Sequence, residues 1–137
     1  MDIKKLIYLA TPYTHSDLTV REQRFKAVSR CAGWLMLKAD VYCYSPISMT
    51  HQIWLEMRDT PGTGFEWEFW AGFDEFMVDK CREFWIYCQP GWETSVGVTA
   101  ERKIANKYGI VTRYVTDDGQ GGYLISNTPP VFAFDAL

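Results

Sequence analysis

The sequence predicts an α/β fold of three layers, with a central, mainly parallel sheet of about four or five strands covered by helices. Two observations carry this expectation. Short apolar runs recur along the chain, "LIYLA" at 6–10, "VYCYSP" at 41–46, "EFWIYC" at 83–88 and "GIVTRYV" at 109–115, each of strand length and each of the type that a buried parallel strand requires. Between them lie longer stretches with helical spacing, so strand and helix alternate as in right-handed crossover units.

The elements follow in order. "LIYLA" ends in a polar loop, "TPYTHSD". From about Val20 to Lys38 the positions Arg24, Val28, Cys31, Ala32 and Leu35 fall on one helical stripe. Pro46 closes the second strand, and "ISMTHQIWLEMRDTPGTG" reads as a short helix followed by a loop with Pro61, Gly62 and Gly64 as breakers. A long helix is expected from Phe65 to Cys81, then the third strand. "QPGWETS" turns the chain into a last helix over 93–109, stopped by Gly109 ahead of the fourth strand. Residues 1–116 are read as one α/β domain. After Asp117 the tail is rich in glycine and proline, and residues 117–137 are read as a C-terminal extension, a hairpin or an arm.

The chain has 137 residues, enough for a single core, and its composition is globular, with 47% hydrophobic residues. The net charge of -3 and the lack of a basic run speak against a nucleic-acid polymer as partner. No stretch approaches membrane-spanning length and no leader pattern opens the chain, so a cytoplasmic protein is expected. Cys31, Cys43, Cys81 and Cys88 form no CxxC pair, and the only histidines are His15 and His51. Reduced cysteines and no metal site are expected. Neither GxGxxG nor GxxxxGK is present, so no dinucleotide or ATP cofactor is expected.

In open α/β sheets ligands bind outside the carboxyl ends of the strands, here loops 11–19, 45–64 and 89–95. Two carboxylates interrupt helix faces that should be dry. In "ETSVGVTAERKIANKYG" Glu101 shares a side with Gly97, Val98, Ile104 and Ala105, opposite Arg102, Lys103, Asn106 and Lys107. Either its head reaches water past a packed stem, or it sits in a pocket with raised basicity, suited to acid–base or nucleophilic work. Asp74 repeats the anomaly on the stripe Trp67, Trp70, Ala71, Met77, Val78, Cys81. Two adjoining carboxylates separate each other's proton affinities into an acid and a base. The alternative is a structural ion pair with Arg24 or Arg82.

Ser95 is either a plain N-cap or part of an anion site at a helix N-terminus. It lies about 9 Å along the helix axis from Glu101, a span that suits a sugar phosphate. Tyr8, Thr11, Ser45 and His51 follow or end the first two strands and are candidate contacts in the same crevice. Trp54, Trp67, Trp70, Trp85 and Trp92 are mainly core candidates, with one or two beside the crevice able to stack on a base.

Together "IYLATPY", "YSPISMTH" and "GWETSVGVTAE", with Asp74 upstream, resemble the nucleoside 2-deoxyribosyltransferase-like superfamily, in particular its small bacterial and phage branch of the DUF1937 and DUF4406 type. The resemblance covers about residues 5–115. It implies a flavodoxin-like (Rossmann-like) sheet, a homodimer or homotetramer, and cleavage or exchange of an N-glycosidic bond of a (deoxy)nucleoside or nucleotide without a cofactor. It further implies Glu101 as nucleophile, Asp74 as the carboxylate handling base or sugar, and Tyr8 as orienter. Ser95, Gly97, Thr11, Ser45, His51, Trp92 and Arg24 become the candidate substrate contacts. The nucleoside transferases carry aspartate where this chain has Ser95, whereas the related 2'-deoxynucleoside 5'-phosphate N-hydrolases carry a serine that holds the phosphate. Their Ser and Arg phosphate pair after the first strand is missing here, and Thr11, Arg21 or Arg24 would stand in. Two other classes remain open: a non-catalytic nucleotide-binding or sensing module, and an oligomeric scaffold with its carboxylates in ion pairs.

Overall fold

A computed structural model describes residues 3–62 and 67–131, apart from the side chains of Trp67 and Glu68. Among the described residues ten elements follow in chain order. β1 (Leu6–Ala10) leads to α1 (Leu18–Lys38), β2 (Tyr42–Tyr44) to α2 (Pro46–Met57), and α3 (Trp67–Lys80) to β3 (Glu83–Tyr87). A single 3-10 turn (Trp92–Thr94) then precedes α4 (Val96–Lys107), β4 (Val111–Asp117) and β5 (Tyr123–Ser126). The sheet order is β2-β1-β3-β4-β5, with β1 to β4 parallel and β5 antiparallel to β4. This is the α/β three-layer architecture expected, of the flavodoxin-like order in which the strand sequence reverses between β1 and β3.

Alternation along β1 divides the core. Ile7 and Leu9 join Val28, Cys31, Ala32 and Leu35 of α1 on one face of the sheet. Tyr8 and Ala10 join Val78 of α3 and Val98 and Ala105 of α4 on the other. Because side chains on a strand alternate, Tyr8 can only point into the layer that holds α3 and α4. β3 is buried throughout, as a central strand covered on both faces must be.

Several boundaries move for local reasons. α1 begins at Leu18 rather than near Val20, because the Asp17 carboxylate caps it by accepting from the Thr19 N–H at 2.9 Å. Gly109 adopts a left-handed φ of 68°, so it closes α4 and β4 starts only at Val111. α3 stops at Lys80, and the expected start at Phe65 lies outside the described residues. Of the tail, the described part forms a hairpin: β5 pairs with β4, and Tyr123 enters the α1-side core. Among the described residues no helix is long and apolar enough to cross a membrane.

Candidate functional site

A cavity of about 660 Å³ opens at the carboxyl ends of β1, β2 and β3. Its walls come from the loop after β1 (Thr11 to His15), from α2 (Pro46, Ile47, Thr50 and Trp54), from α3 (Trp70, Ala71 and Asp74), and from the turn into α4 and α4 itself (Thr94 to Gly97, Ala100, Glu101, Ile104). The reversal of strand order makes this crevice. The chain leaves β1 toward one face and β3 toward the other, so the two loops diverge and leave room between them.

Asp74 and Glu101 meet across α3 and α4, and Tyr8 rises between them from β1. The Tyr8 hydroxyl donates to Glu101 Oε2. Its one proton serves one carboxylate at a time, and Asp74 Oδ1 is left buried without a hydrogen-bond partner. Burial pushes Glu101 up to about 8, the Asp74 charge adds to that rise, and the Tyr8 hydroxyl opposes it. Burial likewise raises Asp74 to about 6, again opposed by Tyr8. Burial and the two carboxylates push the Tyr8 phenol well above its usual value, so it stays a donor. Neither carboxylate has an ion-pair partner among the described residues, and the expected alternative with Arg24 or Arg82 is not formed. Near neutrality the pair holds one proton between two groups, which makes it an acid and a base at once.

Two arginines, Arg21 and Arg24, line the same cavity. Arg24 donates to the carbonyls of Thr14 (3.1 Å) and Pro90 (3.2 Å), tying the loop after β1 to the loop after β3. Ser95 caps α4, its Oγ accepting from the Val98 N–H at 3.2 Å. It lines the cavity alongside Gly97, which the helical pattern had placed on the dry face and which is exposed. Gly91, with φ 92°, lies close beneath the Arg24 guanidinium, and a Cβ there would stand 3.2 Å from it.

The structure therefore brings Tyr8, Asp74, Glu101, Ser95, Gly97, Thr11 and Arg24 to one place. Thr11 arrives with its hydroxyl engaged, donating to the Tyr87 carbonyl at 3.1 Å and accepting from Gln89 Nε2 at 2.9 Å. Four candidates do not line the cavity, Tyr8 among them, which is fully buried and reaches the site through its bond to Glu101. Ser45 is buried and bonded to Ser48 Oγ at 2.7 Å. Trp92 packs in the core against Tyr114. His51 is buried behind Tyr13 and stacked on Phe25. Tyr13, Ile47 and Thr50 are wall residues that lie within "IYLATPY" and "YSPISMTH" but are not among the candidate contacts, because nothing in those motifs tells which of their side chains face the cavity.

The family described as "Domain of unknown function (DUF1937)" matches residues 5–115, and the chain belongs to that family. No curated protein matches the chain.

Proposed function

Taking the chain as a member of the DUF1937 family, we propose that it cleaves or transfers the N-glycosidic bond of a (deoxy)nucleotide or nucleoside, and that the family is a branch of the nucleoside 2-deoxyribosyltransferase-like superfamily. The observation that carries this reading is the partly buried Asp74–Glu101 pair on one wall of the cavity, with Tyr8 donating to Glu101. The motif likeness "GWETSVGVTAE" supports it, as do Arg21 and Arg24 in the cavity lining, which suit an anionic group on the ligand.

In this reading the attack occurs with the shared proton on Asp74, exchanged between the two carboxyls through the Tyr8 hydroxyl. The Glu101 carboxylate adds to the anomeric carbon, the carbon–nitrogen bond breaks, and its electron pair leaves with the base, which takes the Asp74 proton. A glycosyl ester on Glu101 remains. Asp74, now ionised, removes a proton from water or from an incoming base, whose lone pair attacks the same carbon and frees Glu101. Ser95 and Arg21 or Arg24 bind the phosphate or the sugar end. The protein acts on this small molecule in the cytoplasm as a homodimer or homotetramer and needs no metal or cofactor.

A second reading, a nucleotide-binding or sensing module without turnover, draws on one observation. At about 8, Glu101 carries a proton at neutral pH and is then a donor rather than a nucleophile. Incubation with deoxynucleoside monophosphates, followed by chromatography of free base, separates the two. Release by wild type and at least a hundredfold slower release by Glu101→Ala is expected of the enzyme. Binding without release, retained in Glu101→Gln, is expected of the sensor.

A further inference from the structure

A second chain of hydrogen bonds reaches the same cavity from the opposite side. The Tyr13 hydroxyl lies 2.6 Å from His51 Nδ1, and His51 Nε2 lies 2.7 Å from Glu22 Oε2. His51 is 1% exposed, stacked on Phe25 at 4.3 Å between ring centres, with Trp54 beside it. Both its ring nitrogens are used. Glu22 stands at the outer end with a side chain 40% exposed, and Tyr13 stands at the inner end as a cavity wall.

The direction of these bonds follows from the ends. An ionised carboxylate only accepts, so Nε2 of His51 carries the proton that Glu22 receives. In neutral His51 that leaves Nδ1 bare, as an acceptor. The Tyr13 hydroxyl must then be the donor to Nδ1. Its proton is committed outward, and His51 is its only hydrogen-bond partner among the described residues. What Tyr13 has left for anything in the cavity is an oxygen lone pair.

We propose that Tyr13 is a specificity-determining residue that offers the ligand only a hydrogen-bond acceptor, with His51 and Glu22 as positioning residues that enforce this sense. The ligand group it selects is an O–H or N–H donor. On the nucleoside reading above, on which this inference rests, that donor is either a sugar hydroxyl or an exocyclic amine of the base. Arg21 adds to the arrangement, its guanidinium lying 5.9 Å from the Tyr13 ring centre and 5.7 Å from that of Trp54. A buried acceptor left unpaired by a ligand that lacks the donor is costly, which is why such a contact discriminates sharply.

The test uses the full chain and two arms of ligands by titration calorimetry: 2'-deoxynucleosides against 2',3'-dideoxynucleosides, and purine deoxynucleosides with and without the exocyclic amine. Wild type should prefer the donor-bearing member of one arm by about tenfold, and the arm identifies the donor. Tyr13→Phe should reduce that preference to near unity. Glu22→Gln, at a half-exposed position that does not threaten folding, should reduce it part of the way. The ring 15N signals of His51 in the free protein supply a readout that a purely structural tyrosine would not move: protonated Nε2 and bare Nδ1 in wild type, and a mixture in Glu22→Gln. Equal binding within both arms, or the same preference in wild type and Tyr13→Phe, would overturn this assignment alone, as would protonated Nδ1 in the wild type. Failure of every nucleoside to bind would overturn the nucleoside reading and this assignment together.

Discussion

The hydroxyl of Tyr8 donates to Oε2 of Glu101 across 93 positions of chain, joining the first strand of the sheet to its last covering helix. That bond, between two residues placed by different periodicities, joins strand and helix at the centre of the candidate site. It holds the glutamate, opposes the rise in its proton affinity, and leaves Asp74 Oδ1 without a donor.

The pair sets a pH window. Below about 6 both carboxyls are protonated and no nucleophile remains. Above about 8 both are ionised and no acid remains. A bell-shaped dependence of kcat/KM on pH between these apparent values, which belong to the pair, is expected in base-release assays. Tyr8→Phe removes the bond that lowers Glu101, so the alkaline limb should shift to higher pH while the rate falls about ten- to a hundredfold.

Stability should change with the same proton. Folded Glu101 keeps its proton up to about pH 8, whereas the unfolded chain releases it near the ordinary value of 4.5, so the native state binds more protons in between. Stability contributed by this group is therefore present at low pH and is lost as pH rises through that interval. Glu101→Gln removes the ionisation and keeps an acceptor for Tyr8. Thermal melts should show little change at pH 4.5 and a gain of about 1–2 kcal/mol, several degrees in Tm, at pH 8. A loss at both pH values would count against the burial of this charge.

Ser95 should have two separable effects. Its Oγ caps α4 through the Val98 N–H, so Ser95→Ala should cost about 1 kcal/mol of stability, read in denaturant unfolding. If it also holds a phosphate, the affinity ratio of a deoxynucleotide over its nucleoside should fall in Ser95→Ala by about tenfold. An unchanged ratio would leave Ser95 as a cap alone.

Much of this architecture is legible in the sequence, for identifiable reasons. Asp74 and Glu101 stand out because each is a charge on a helical stripe that is otherwise apolar, and helical spacing alone reveals that. The parallel sheet and the ligand loops at its carboxyl end follow from the alternation of apolar runs with helices, whereas the strand order does not, since alternation leaves open which strands are neighbours. Gly97 was misjudged because a glycine adds nothing to a hydrophobic pattern, so its spacing shows a face but not whether that face opens on a cavity. His51 and Ser45 lie at the expected strand end yet turn into the interior, and Trp92 does likewise, since an aromatic side chain in a turn serves the core as readily as a ligand. The Tyr13–His51–Glu22 chain was invisible because its members lie 38 and 29 positions apart, on a loop and two helices whose packing no periodicity specifies.

Trapping the intermediate tests whether Glu101 is the nucleophile. Fluorine at the sugar 2-position of a deoxynucleotide destabilises the oxocarbenium-like transition states of both formation and breakdown, so a glycosyl ester, once formed, is long-lived, and peptide mass spectrometry then locates any added sugar. The sugar mass is expected on the peptide containing Glu101 and absent in Glu101→Gln. Base release by wild type with no adduct on Glu101, or with an adduct on Asp74, would contradict that role for Glu101.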